Sequence, residues 1–346
     1  TLVIRQGAAL IPVPSPLFYQ YWNDHCFSLA SRGVLSGGRM EKKAVAFAKP
    51  MNGRMPQAVA WTVMLLVSML PNILFHEVVH RSPSWLFWAK VAFLLLLGLA
   101  SWFWPWLTSL RPFFLILASI YLIEAGVSLV TGSTTWQRWF GGADAPFVVS
   151  MLGIQLGRLL VSFGMIGVLR VLHYRREAFF LVQGDLSAPI QPVRWLGFAK
   201  PEPWTRFGGQ FAVYISLGTL LFLYLAGRPQ ALALIQALPW LPVVLLLAAM
   251  NAFSEEMTYR ASLLAGLEQA VGSHQALWIT AIFFGLGHYF GVPYGMIGVV
   301  MASFLGWILG KAMLETRGFF WAWFIHFLQD VMIFFFMAVG AVAPGG

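Results

Sequence analysis

The sequence predicts an all-α fold, a polytopic transmembrane helical bundle. Hydrophobic residues make up 59% of the 346-residue chain, and mean hydropathy is +0.74. Charged residues make up only 10%, against roughly 25% in an ordinary soluble domain. Apolar runs of spanning length recur from residue 57 to the end. A water-soluble fold of this length must cover its surface with charge, and 22 Lys and Arg with 13 Asp and Glu do not suffice. The composition excludes disorder, a nucleic-acid-binding domain and a soluble enzyme, so no nucleic-acid partner is expected. The single Cys26 rules out an intramolecular disulfide and a multi-thiolate metal site.

Residues 1–55 read as an N-terminal cytoplasmic arm lying on the membrane surface. They carry Pro12, Pro14 and Pro16 and a basic run from Arg39 through Lys42, Lys43 and Lys49. No apolar core with a small-residue cleavage site is present there, so no signal peptide is expected. A docking segment for a partner membrane subunit is the alternative reading of this arm.

About 20 apolar residues are needed to cross roughly 30 Å of hydrocarbon. Runs of that kind place nine helices, or eight if two merge, near 57–75, 85–107, 113–131, 147–169, 210–227, 239–264, 275–291, 294–314 and 319–342. Three regions follow: the arm at 1–55, helices one to five at 56–229, and helices six to nine at 230–346. The longest internal loop, 170–209, carries Asp185, Pro189, Pro192, Pro201 and Pro203.

Lys and Arg collect in cytoplasmic loops. With the N-terminus inside, sixteen fall on inner segments and only Arg81, Arg138 and Arg228 on outer ones. Lys90, Arg158 and Arg260 lie within spans. The +9 net charge therefore orients the chain, N-terminus cytoplasmic, in what reads as a bacterial inner membrane.

Ionisable residues within spans are costly and are functional candidates by default. Lys90, Glu124 and Arg158 stand isolated and read as structural pairs between helices. The dense cluster is Glu255, Glu256, Arg260, His288, His326 and Asp330. Glu256 and Arg260 are i and i+4 with the acid first, the favourable order for a helical ion pair. Glu255 points about 100° away from Glu256, free for a different task. His326 and Asp330 also share a face at i and i+4. Gly285 and Gly287, before His288, allow close helix approach. At ~1.5 Å per residue, Glu255 lies about 13 Å from the inner end of its helix, His288 about 20 Å into helix seven and His326 about 10 Å into helix nine. These depths permit one shared cavity.

Glu255-Glu256-x-x-x-Arg260, Phe284-x-x-x-His288 and His326-x-x-x-Asp330 resemble, in order, the motifs of the CPBP (Abi) family of membrane proteases. That family takes in CAAX-prenyl endopeptidases and proteins assigned to bacteriocin processing or self-immunity. The resemblance is specific over about 230–343. It implies an intramembrane endopeptidase of the glutamic type, acting on a membrane-associated peptide amid membrane lipid. Glu255 would be the general base for a water, and His288 would help hold it. Glu256 and Arg260 would form a supporting ion pair. His326 would stabilise the oxyanion, with Asp330 orienting His326.

The resemblance implies no cofactor, although Glu-His-His could also hold zinc. His76-Glu77-Val78-Val79-His80 is a literal H-E-x-x-H, the spacing that puts two zinc ligands on one helical face. It lies where helix one leaves the membrane and lacks the distant Asp-Gly that site-2-type metalloproteases carry. It reads as a polar helix end, with a zinc intramembrane metalloprotease as one rival function. A catalytically silent membrane subunit or assembly scaffold is the other.

Overall fold

A computed structural model describes residues 54–141 and 145–342. Most of the arm reading, residues 1–53, lies outside the described residues. The chain is an all-α membrane bundle, with no strand among the described residues. In order it comprises α1 (Arg54–Val67), α2 (Leu70–Val79), α3 (Trp85–Phe103), α4 (Arg111–Thr131), α5 (Thr134–Phe140), α6 (Phe147–Val171), α7 (Trp204–Gly227), α8 (Ala231–Ala237) and α9 (Leu241–Glu255). A π-turn (Glu256–Ala261) leads to α10 (Ser262–Val271), α11 (Ser273–Gly287), α12 (Met296–Thr316) and α13 (Phe320–Val342). Among the described residues seven helical segments are long and apolar enough to cross a membrane, or eight counting the bent pair α1 and α2.

The bend between α1 and α2 is 47°. It frees backbone carbonyls inside the apolar layer, where an unsatisfied polar group costs several kcal/mol or about that. The Tyr121 hydroxyl donates to the Val67 carbonyl, and Lys90 Nζ donates to the Ser68 carbonyl at 2.6 Å and to Asn72 Oδ1. Lys90 thus closes a broken helix.

Helix ends alternate between two faces. At one face Gln57 donates to the Val271 carbonyl, Arg317 pairs with Glu268 at 2.7 Å, and the Asp185 N–H donates to the Thr316 carbonyl at 2.8 Å. The α1 start, the α10–α11 turn, the α12–α13 turn and the segment after α6 therefore meet at one end. That segment is shorter than the expected 170–209, because α6 runs to Val171 and α7 begins at Trp204. It is also folded, with Phe179, Phe180, Ile190 and Val193 buried. Glu315 fixes it by accepting from the Gln191 N–H at 3.0 Å and the Trp204 indole at 2.9 Å. Gly184 (φ +78°) lies so close to Gly318 that a Cβ would sit 2.6 Å from its Cα, so a side chain there is excluded.

Two boundaries differ in ways that matter for function. The expected run 239–264 is part of one helical segment, Ala231–Val271, 41 residues long. The expected span 275–291 stops at Gly287 after 15 residues, about 22 Å of rise. Residues 288–295, rich in Gly and Pro, turn the chain back into α12.

Candidate active site

The site is assembled on α6, the α9–π-turn junction, the end of α11 and the first half of α13. The turn after Glu255 is not the α-helix that the sequence suggests. Residues Glu256–Ala261 form a π-helix, which widens the backbone and re-aims consecutive side chains. Neighbouring hydroxyls support it. Ser262 donates to the Met257 carbonyl at 2.8 Å, and Ser162 of α6 donates to the Ser254 carbonyl at 3.1 Å.

Glu256 and Arg260 are both fully buried and bonded to each other. Burial of two charges is tolerable only when each is paired and hydrogen-bonded. The same Glu256 oxygen, Oε1, lies 2.7 Å from His326 Nδ1. With Nδ1 donating to Glu256, Nε2 is turned into the gap between Glu255 Oε2 and Asp330 Oδ2, 3.7 Å from each. The orienting partner of His326 is therefore Glu256. Asp330, expected in that role, stands beyond hydrogen-bond length and instead accepts from Asn251 Nδ2 at 3.0 Å.

His288 is the residue just past α11, half-buried. Its Nδ1 lies 2.8 Å from the Phe284 carbonyl. That bond explains the Phe-x-x-x-His spacing physically: it fixes the tautomer with Nδ1–H donating and leaves Nε2 as an acceptor. The Phe284 ring joins the parts, with the Arg260 guanidinium 4.6 Å above it and the rings of His288 and His326 at 4.4 and 5.9 Å. His288 is within coulombic reach of Glu255 and His326.

Two members of the site were not assigned to it from the sequence. Asn251, buried one turn before Glu255, donates to both Asp330 and Glu255. A lone Asn directly after the apolar run Leu245–Met250 was its signal. Arg158, read from sequence as an isolated structural pair, donates through Nη1 to Glu255 Oε1 at 2.5 Å and to Asn251 Oδ1. No spacing rule could find it, because it lies 97 residues away on α6. The isolated acid, Glu124, does hold a helix pair, accepting from the Tyr259 hydroxyl.

The H-E-x-x-H segment lies apart from this cluster, exposed at the end of α2. His80 is the residue after the helix, with φ +52°. Glu77 accepts from the Tyr294 hydroxyl at 2.8 Å, and His76 packs edge-on against Phe290 at 5.2 Å. The motif thus ties α2 to the 288–295 turn. Among the described residues no three His, Cys, Asp or Glu side chains gather to hold a metal ion.

Residues 237–332 match the family described as type II CAAX prenyl endopeptidase Rce1-like. This segment is thus similar to the CPBP family. No curated protein and no solved structure matches the chain. The matched segment begins in α8 and ends in α13, so it contains Asn251, Glu255, Glu256, Arg260, His288, His326 and Asp330. Arg158 lies outside it. The family is a peptidase family.

Proposed function

We propose that the chain is an intramembrane endopeptidase that cleaves a membrane-associated peptide with a glutamate-activated water. The observation that carries this reading is the gap in which Glu255 Oε2 faces His326 Nε2 at 3.7 Å. A carboxylate and an imidazole held at that spacing can act on opposite ends of one adding water: one takes its proton, the other meets the charge it creates.

In the reaction, water gives a proton to Glu255 while its oxygen bonds to the carbonyl carbon of the scissile amide. His288 Nε2 accepts from the water and orients it. The carbonyl oxygen becomes an oxyanion, which His326 Nε2–H stabilises. His326 is the imidazolium from the start, donating from both nitrogens, its charge balanced by Glu256, Asp330 and, once it forms, the oxyanion. The proton on Glu255 passes to the amide nitrogen and the C–N bond breaks, releasing a carboxylic acid and an amine. No covalent enzyme intermediate forms.

Membrane lipid surrounds the site and the peptide reaches it within the bilayer. The basic end of the bundle faces the cytoplasm of a bacterial inner membrane, with the N-terminal arm available to a partner membrane subunit. A catalytically silent subunit is the second reading, and the 2.5 Å ion pair between Arg158 and Glu255 is the observation that favours it. The test is turnover of a membrane-anchored reporter peptide by purified full chain. Cleavage lost in His288→Ala and His326→Ala, yet retained in His76→Ala/His80→Ala, supports the glutamate mechanism. Loss in the last variant alone favours the zinc metalloprotease.

A further inference from the structure

Arg158 poses a problem for the mechanism. Glu255 Oε1 accepts from Arg158 Nη1 at 2.5 Å and from Asn251 Nδ2 at 3.3 Å. While both donors stay they draw the carboxylate's charge toward Oε1, and Oε2, which faces the gap, is left a weaker acceptor for the water's proton. A cation meant only to hold the carboxylate would be buried, as Arg260 is. Arg260 is 0% exposed and its partner Glu256 is also 0% exposed. The Arg158 side chain is 33% exposed and Glu255 is 13% exposed. The two ion pairs differ: one is sealed into the bundle, the other is partly exposed.

A planar guanidinium takes carboxylates and phosphates through paired N–H donors. A carboxylate brought into the apolar layer needs a cation, because an unpaired charge there is costly. Arg158 is the partly exposed cation beside the base. Resting on the endopeptidase reading, we infer that Arg158 binds the C-terminal carboxylate of the peptide substrate and, in turning to it, releases Glu255 for water. The exchange conserves charge: the guanidinium trades one carboxylate for another, and Asn251 still holds Glu255 in place. A base that is held until the correct peptide end arrives is also protected from idle proton exchange. A peptide terminus fits this role because it lies a fixed number of bonds from the scissile amide, so docking it sets the cleavage position. A lipid phosphate has the same anionic chemistry but is always present and would leave the base permanently released.

The test uses the full chain in neutral detergent and one membrane-anchored peptide in three forms: free C-terminal acid, C-terminal amide, and amide with an acidic final side chain. Wild type is expected to favour the free acid over the amide by roughly tenfold or more in kcat/KM, the scale of a charge-assisted hydrogen bond. In Arg158→Gln the ratio falls to about one, and Arg158→Lys retains part of it. The wild-type ratio needs no variant to fold. Equal cleavage of acid and amide by wild type overturns the inference, as does an unchanged ratio in Arg158→Gln. Cleavage of the acidic-side-chain amide as fast as the free acid overturns the assignment to the terminus. A ratio that vanishes when anionic phospholipid is added at substrate concentrations assigns Arg158 to phosphate instead. Binding of the same peptides to Glu255→Gln, with and without Arg158→Gln, is measured in parallel. Preferential binding of the acid without turnover by wild type would remove the endopeptidase reading and leave Arg158 as a carboxylate site.

Discussion

Glu256 serves two partners through one oxygen, bonding Arg260 along its own turn and His326 across the bundle. Its neighbour Glu255 meets Arg158, Asn251 and His326 Nε2 instead. Two adjacent acids with different environments can hold different tasks, which is what the sequence suggested and the π-turn accomplishes. The separation gives a prediction. Glu256→Gln leaves the guanidinium of Arg260 buried without its counter-charge and is expected to destabilise the protein by about 3 kcal/mol, read as a lower unfolding midpoint in detergent. Glu255→Gln, beside the half-exposed Arg158, is expected to shift that midpoint far less. Of the residue-level details, the motif members could be read from spacing because each motif spans only about one turn of continuous chain. Arg158 could not, because its partnership depends on α6 packing against α9.

At the scale of elements, the end of α11 decides where His288 stands. Gly285 lies against α12, where an added Cβ would come within 1.9 Å of Ser303 Oγ and 2.7 Å of the Val299 carbonyl. Gly287, two residues on, has nothing within 4 Å. Both glycines look alike in the sequence, and only the packing tells them apart. Gly285→Ala is therefore expected to cost about 1–3 kcal/mol through overpacking and to lower cleavage by displacing His288. Gly287→Ala should be close to wild type in both unfolding midpoint and turnover. The expectation that helix seven continues to residue 291 fails for a related reason: apolar Tyr289, Phe290 and Val292 extend the hydropathy signal, but Gly291 and Pro293 end the helix. The π-turn was equally invisible, since its widening answers to Ser162 on another helix.

Across the whole molecule, apolar run lengths were enough to lay out the bundle, because the bilayer fixes how long each pass must be. The bend at Ser68 and the folded segment after α6 were not legible, as both depend on tertiary partners: Lys90 and Tyr121 for the first, Glu315 for the second. The alternation of helix ends makes a topological prediction. In a background with Cys26 replaced, single cysteines at Arg176 and Arg317 should label from one side of the membrane, and those at Arg138 and Arg228 from the other. The basic residues argue that the first pair is cytoplasmic. Labelling of Arg176 and Arg317 positions from opposite sides would break the assembly of α6, α12 and α13 described above.

The central claim is that Glu255 activates the water that cleaves a peptide bond, and single-turnover cleavage of the reporter peptide by Glu255→Gln tests it most directly. Loss of a general base is worth typically 10²–10⁴-fold or about that in rate. A fall of roughly a thousandfold is expected, with the peptide still bound and the unfolding midpoint little changed. Cleavage within a few-fold of wild type would contradict it.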